Sequence, residues 1–213
     1  FAKLSQEAGI PAGVFQVLTS SDAKSVGKLF ATSERVRKIT FTGSTAVGRS
    51  LMEQAASTIK RTSMELGGNA PFLVFDDADI EKAVQGAVTA KFRNAGQVCV
   101  SVNRFYVQDS VYDQFAEALA KAVEQLKVGN GMDEGVKVGP LINKKGLEKV
   151  QAHVDDAIKR GAEVRVGGKA LEGTFFQPTV LTSMPNDSLI AKEETLGRFV
   201  LYSVSRPRKK VFD

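Results

Sequence analysis

Short apolar runs alternate with stripes of helical spacing along this chain. Phe1, Leu4 and Ala8 share a helix face that Gly9 and Pro11 stop. Residues 14–18 (VFQVL) read as a strand, Ser20, Ser21 and Asp22 offer helix caps, and Val26, Leu29 and Phe30 form the next stripe. A buried strand over 38–42 (KITFT), a helix carrying Leu51, Met52 and Ala55, and strands over 60–66 and 72–75 follow. Asp76, Asp77 and Asp79 cap a helix whose inward stripe is Ile80, Val84, Ala87, Val88 and Phe92, ending near Asn94 and Gly96. Beyond it come a strand over 104–108, a helix with Val111, Phe115, Leu119, Ala122 and Leu126 inward, a glycine-rich turn over 129–139, and a helix carrying Leu147, Val150, Val154 and Ile158. Residues 162–166 predict another strand, and 175–181, with Pro178 inside, an edge strand. Strands alternating with helices predict an α/β fold around a mostly parallel, covered sheet.

Three junctions in this pattern carry candidate chemistry. The strand over 38–42 runs straight into Gly43-Ser44-Thr45-Ala46-Val47-Gly48-Arg49-Ser50, a strand, glycine turn and helix of the kind that binds phosphate through backbone N–H groups. The spacing nearly fits a P-loop, with Arg49 in the lysine position, so nucleoside triphosphate binding is one reading. A dinucleotide-phosphate turn is a second, and an ordinary cap, with Ser44 satisfying backbone donors, a third.

Glu65 ends a strand before Gly67-Gly68 and Asn69-Ala70-Pro71, which break regular structure and mark a domain crossover. Taken alone, Glu65 is a surface or ion-paired carboxylate. Cys99, the single cysteine, follows a helix C-terminus whose dipole does not favour a thiolate, so it is either a small buried hydrophobe or a nucleophile helped by amide donors and a base. The single histidine, His153, sits inside a helix beside Val154 as a surface or packing residue, which argues against a Cys–His thiol-hydrolase pair.

Composition narrows the classes. The hydrophobic share of 43% suits a folded core, and neither a bilayer-length apolar run nor a signal-peptide pattern is present, which predicts a cytoplasmic protein without membrane association. No Cys/His cluster has the spacing of a zinc site, so no metal is expected. Of the net charge of +5, Arg206, Arg208, Lys209 and Lys210 less Asp213 supply +3, leaving +2 for the rest and no nucleic-acid footprint.

Taken together, FTGSTAVG (41–48), MELGGNAPF (64–72), FRNAGQVC (92–99), GPLI (139–142) and KEETLG (192–197) resemble the aldehyde dehydrogenase superfamily in order and approximate spacing, over residues 1 to about 197. ELGGNAPF and KFRNAGQ are most similar to its succinate-semialdehyde dehydrogenases. The resemblance implies an aldehyde dehydrogenase-like fold: residues 1–66 as the end of a Rossmann-like dinucleotide-binding domain, 67–200 as most of an α/β catalytic domain, and 201–213 as an atypical tail. It implies NAD or NADP as cofactor, a small aldehyde as substrate, and a full-length parent that is a homo-oligomer.

By the same resemblance Cys99 is the nucleophile and Glu65 the general base. Gly43 and Ser44 flank the cofactor phosphates, Leu66 lies against the nicotinamide end, Glu194 holds a ribose hydroxyl, and the Cys99 backbone N–H serves the oxyanion. Arg93 reaches the substrate carboxylate, although as a residue it also reads as a surface helix charge. Ser101 stands where some relatives carry a second cysteine, so a redox switch between neighbours cannot form. Leu196 and Arg198 replace a phenylalanine and a proline of the family pattern, and the family's first cofactor strands, a ribose-binding lysine and an oxyanion asparagine precede residue 1. An internal fragment with little turnover by itself is the expectation; the alternatives are a noncatalytic remnant that associates with other protein and a P-loop nucleotide-binding protein.

Overall fold

A computed structural model of the chain describes residues 1–197 and 199–205, the latter as a backbone strand. The chain divides into two compact units, Phe1–Leu66 and Gly67–Asp213.

The first unit contains α1 (Ala2–Glu7), α2 (Ala23–Thr32), β1 (Lys38–Gly43), α3 (Thr45–Ala55) and β2 (Arg61–Leu66). Asp22 caps α2 by accepting the Ser25 N–H at 3.0 Å. Strands β1 and β2 pair in parallel, with Thr42 opposite Glu65 and Gly43 opposite Leu66. Residues 14–18, expected as a strand, form none: Val14 and Leu18 are 71% and 70% exposed. An apolar run becomes a strand only where a neighbour completes its hydrogen-bond ladder, and the sheet described in this unit is β1 and β2 alone. For the same want of neighbours, Leu29 and Phe30 on the α2 stripe are exposed and only Ala31 of that helix is buried.

The second unit is built on a five-stranded sheet of order β3-β4-β7-β6-β5. Its elements are β3 (Ala70–Val74), α4 (Ile80–Phe92), β4 (Val102–Gln108), α5 (Tyr112–Glu124), α6 (Lys144–Lys159), β5 (Glu163–Val166), β6 (Thr179–Thr182), α7 (Leu189–Lys192) and β7 (Phe199–Ser205). The pairings are parallel except β5 with β6. Pro71 is tolerated because β3 is an edge strand with a register shift beside that proline.

Two expectations change here. Residues 179–182 do not form an edge: β6 lies between β5 and β7 and all four of its residues are buried, with Pro178 just before the strand, where its missing N–H costs no ladder bond. Strand β7 in turn takes residues 201–205 of the expected tail into the sheet; the basic run Arg206, Arg208, Lys209 and Lys210 lies outside the described residues, as does Arg198.

Neighbouring residues of β6 show how the sheet is covered. Val180 belongs to a core with Val84, Ala87, Phe92, Phe105, Phe115 and Leu119, whereas Leu181 belongs to one with Leu141, Val150, Val154, Phe176 and Ile190. Successive strand residues point to opposite faces, so the two cores lie on the two sides of the sheet. The Phe105 ring bridges the first, 5.2 Å from Phe72 and 6.4 Å from Phe115 between centroids. On α6 the buried face is Val150, His153, Val154 and Ala157; Ile158, expected inward, is 44% exposed because the next position turns about 100° off that face.

Candidate active site

In the first unit, β1 passes through Gly43 and Ser44 directly into α3. Ser44 is the N-cap, its Oγ accepting the Val47 N–H at 3.4 Å, and the turn and first helical residues are exposed. A side chain on Gly43 would run into the Phe41 ring, and one on Gly48 would stand 2.5 Å from Leu66 Cδ2. Gly43, Ser44 and Leu66 thus gather at the C-terminal edge of the strand pair, and the open start of an 11-residue helix after a parallel strand suits an anionic phosphate.

The P-loop reading fails on the same geometry. Helix α3 already begins at Thr45, the Gly48 N–H bonds the Ser44 carbonyl, and Arg49 lies within the helix, so no loop remains to wrap a triphosphate. Glu65 is exposed at the end of β2; since Leu66 packs toward α3, strand alternation puts Glu65 on the other face.

In the second unit the site forms where α4 ends. Asp79 caps its start, accepting the Lys82 N–H at 3.1 Å, and the helix stops at Phe92, earlier than expected. Arg93 stands exposed at the C-cap, and Asn94, Ala95 and Gly96 then adopt left-handed backbone with φ of 49°, 58° and 73°. Asparagine and glycine visit that region readily; Ala95 does so at a cost of about 1–2 kcal/mol and is held by burial.

The reversal delivers Cys99 to the second position of a turn closed by the Ser101 N–H on the Val98 carbonyl at 2.9 Å. Cys99 is exposed, not a packed hydrophobe.

Three other segments meet this turn, and further bonds hold one of them in place. The Gln97 side chain donates to the Pro140 carbonyl at 3.3 Å and accepts the Ile142 N–H at 2.8 Å, tying residues 139–142 to it. Gly96 packs so closely on the Gly197 carbonyl that no side chain fits between them. Gly68 lies beside the Cys99 carbonyl, 3.9 Å from where its Cβ would stand. Asn103 Nδ2 donates to the Gly68 carbonyl at 3.3 Å, and the Arg104 guanidinium donates twice to the Asn69 carbonyl, at 3.0 and 2.7 Å. Asn69 Nδ2 donates to the Ala191 carbonyl at 3.0 Å, leaving its Oδ1 a buried acceptor without a partner among the described residues.

Glu194 enters the same cluster. Its carboxylate occupies the space a Gly67 side chain would take, and its carbonyl accepts from Lys149 Nζ at 2.8 Å. His153, expected as a surface or packing residue, is buried and makes polar contacts from that position. Its Nδ1 lies 2.7 Å from Thr195 Oγ1 and its Nε2 lies 3.5 Å from Glu193, so both ring nitrogens face the 193–195 segment, not the thiol.

Sequence reading missed Lys91, which is fully buried with its Nζ 3.2 Å from Asn103 Oδ1. Burial pushes its amino group down to about 7, while the Glu194 charge pulls it back up. The signal was its place in the stripe: 80, 84, 87 and 91 fall on one helix face, so a lysine there points inward. Among the described residues no group of three or more His, Cys, Asp or Glu is placed to hold a metal ion, and no helix is long and apolar enough to cross a membrane.

Known proteins share the fold of this chain. The chain is 57% identical over 195 residues to a glutarate-semialdehyde dehydrogenase of Pseudomonas putida, covering 92% of this chain and 40% of that protein. It is 57% identical over 198 residues to the NADP(+) succinate-semialdehyde dehydrogenase of Escherichia coli, covering 92% and 41%. The crystal structure of an aldehyde dehydrogenase from Brucella melitensis biovar abortus 2308 superposes with a TM-score of 0.95 at 52% identity, over 99% of this chain and 43% of that one. The chain therefore spans about two fifths of the length of the curated relatives it matches. A model of the aldehyde dehydrogenase family matches residues 1–204, reaching past residue 197, where the motif resemblance was expected to stop, through most of β7. With its glycine turn, exposed cysteine and KEETLG segment folded as described and its length matched almost throughout, this chain belongs to the aldehyde dehydrogenase family.

Proposed function

We propose that the protein carrying this chain oxidises a carboxylate-bearing aldehyde, succinate semialdehyde in the first place, to its acid with NAD or NADP. The observation that carries this reading is the exposed Cys99 thiol at the corner of a turn that Gln97, Gly96 and Ser101 hold in place. A thiol so presented can attack an aldehyde carbon while its scaffold stays still.

Cys99 Sγ adds to the carbonyl carbon to give a thiohemiacetal. The turn bond uses the Val98 carbonyl and the Ser101 N–H, so it leaves the Cys99 N–H for the developing oxyanion. With NAD(P)+ bound, its nicotinamide ring would supply the hydride acceptor, so that the thiohemiacetal on Cys99 could give up a hydride and its hydroxyl proton. The Cys99 thioester that remains is hydrolysed by water from which Glu65 takes the proton, releasing acid and thiol. Gly43, Ser44 and the start of α3 suit the cofactor phosphates, Leu66 supplies an apolar surface for the ring, and Glu194 accepts from a ribose hydroxyl. Arg93, exposed at the end of α4, is long enough to pair with a substrate carboxylate.

The test is a steady-state assay on the purified full-length protein that carries this chain. Succinate semialdehyde reduces NAD or NADP in the wild type, Cys99→Ala is inert, and Glu65→Gln accumulates an acyl adduct on Cys99 detectable by mass spectrometry. Unchanged turnover in Cys99→Ala would overturn the reading.

A further inference from the structure

Lys91 has no part in the chemistry above, yet it is bonded at both ends within the site. Its carbonyl accepts from Ser101 Oγ at 3.4 Å, tying it to the Cys99 turn. Its Nζ donates to Asn103 Oδ1 at 3.2 Å, and Asn103 Nδ2 passes the tie on to the Gly68 carbonyl at 3.3 Å. The residue is 0% exposed. A methionine would fill such a space without the cost of stripping water from an amine, so packing alone does not explain a lysine here. Glu194 is the carboxylate whose charge acts on this amino group, and that carboxylate sits in the niche left open by Gly67, next to the glycine that Asn103 holds.

We propose that Lys91 is a positioning residue for Glu194: its amino group and the Asn103–Gly68 bonds anchored on it hold the Glu194 carboxylate in register with the Cys99 turn. Lys91 thereby sets how firmly the cofactor is gripped without touching it. The inference rests on the reading of Glu194 as a ribose ligand.

A double-mutant cycle, read by fluorescence titration of NADH and NADPH onto the purified protein, separates this from a packing role. Lys91→Met weakens binding about tenfold in the wild-type background and less than about twofold in Glu194→Gln, because Lys91 acts through that carboxylate. Equal losses in both backgrounds, or no loss in either, overturn the proposal. If Lys91→Met does not fold, Lys91→Gln completes the same cycle. Should the wild type bind neither nucleotide, the ribose reading of Glu194 falls, and hydrogen exchange over residues 189–197 decides the tie: faster exchange in Lys91→Gln supports it and unchanged exchange sinks it.

Discussion

The carboxylate of Glu194 fills the place where a side chain on Gly67 would be. Gly67 is not among the glycines with positive φ, so an alanine there meets no backbone strain and its effect is steric. Glu194 is a flexible side chain and can swing aside. Gly67→Ala is therefore expected to cost at most about 1 kcal/mol of stability while weakening reduced-cofactor binding about tenfold or more. Urea denaturation and fluorescence titration measure the two, and wild-type binding in this variant would show that the niche has no bearing on Glu194.

Gly96 presents the opposite case. Its φ is +73°, and a Cβ there would meet the Gly197 and Lys91 carbonyl groups, which are backbone and cannot step aside. Gly96→Ala is expected to destabilise the protein by about 3 kcal/mol. Gly135→Ala is the control: φ is +76° with nothing within 4 Å, so only strain of about 1 kcal/mol remains. Equal unfolding midpoints for the two variants would contradict the close packing of Gly96 on Gly197.

Gln97 reaches residues 139–142 through both ends of its amide. Gln97→Glu keeps an acceptor for the Ile142 N–H but sets a carboxylate against the Pro140 carbonyl; Gln97→Leu loses both bonds. Both variants are expected to speed amide exchange at 97–101 and at 139–142, with kcat/KM falling about 10–100-fold, in line with a loosened nucleophile. Normal exchange at both segments in Gln97→Leu would remove the tie.

Lys91 also makes stability depend on pH. Desolvation lowers its amino group from 10.5 to about 7, against an opposing pull from Glu194. Between those values the unfolded chain binds the proton and the folded chain does not, so stability falls as pH drops through that window. The full effect is on the order of 5 kcal/mol as an upper figure. Urea midpoints at about pH 7 and pH 9.5 should differ more in the wild type than in Lys91→Met; equal differences would refute the shift. His153 acts at lower pH: burial, then Lys149, lower its imidazole against Glu193, so stability is lost as pH falls below 6.5, and His153→Gln should flatten that acid-side decline.

Much of this protein was legible in its residues alone. Hydrophobic period located α4, α5 and α6 because each buries one stripe against its own unit. The apolar runs also located β1 and β2, although the expected buried strand over 38–42 has no buried residue. Turn chemistry marked Ser44 and Asp79, where a cap was locally required. The joint motifs also named the family. Partnership was a different matter, since it depends on residues far apart in the chain. Residues 14–18 look like a strand yet pair with no strand among the described residues. Residues 175–181 look like an edge strand, yet the strand that forms, over 179–182, lies inside the sheet once β7 pairs with it. Lys91, His153 and Gln97 look ordinary until folding brings Asn103, Thr195 and Pro140 to them. Periodicity reports which face of an element turns inward, and only the tertiary structure decided what meets it there.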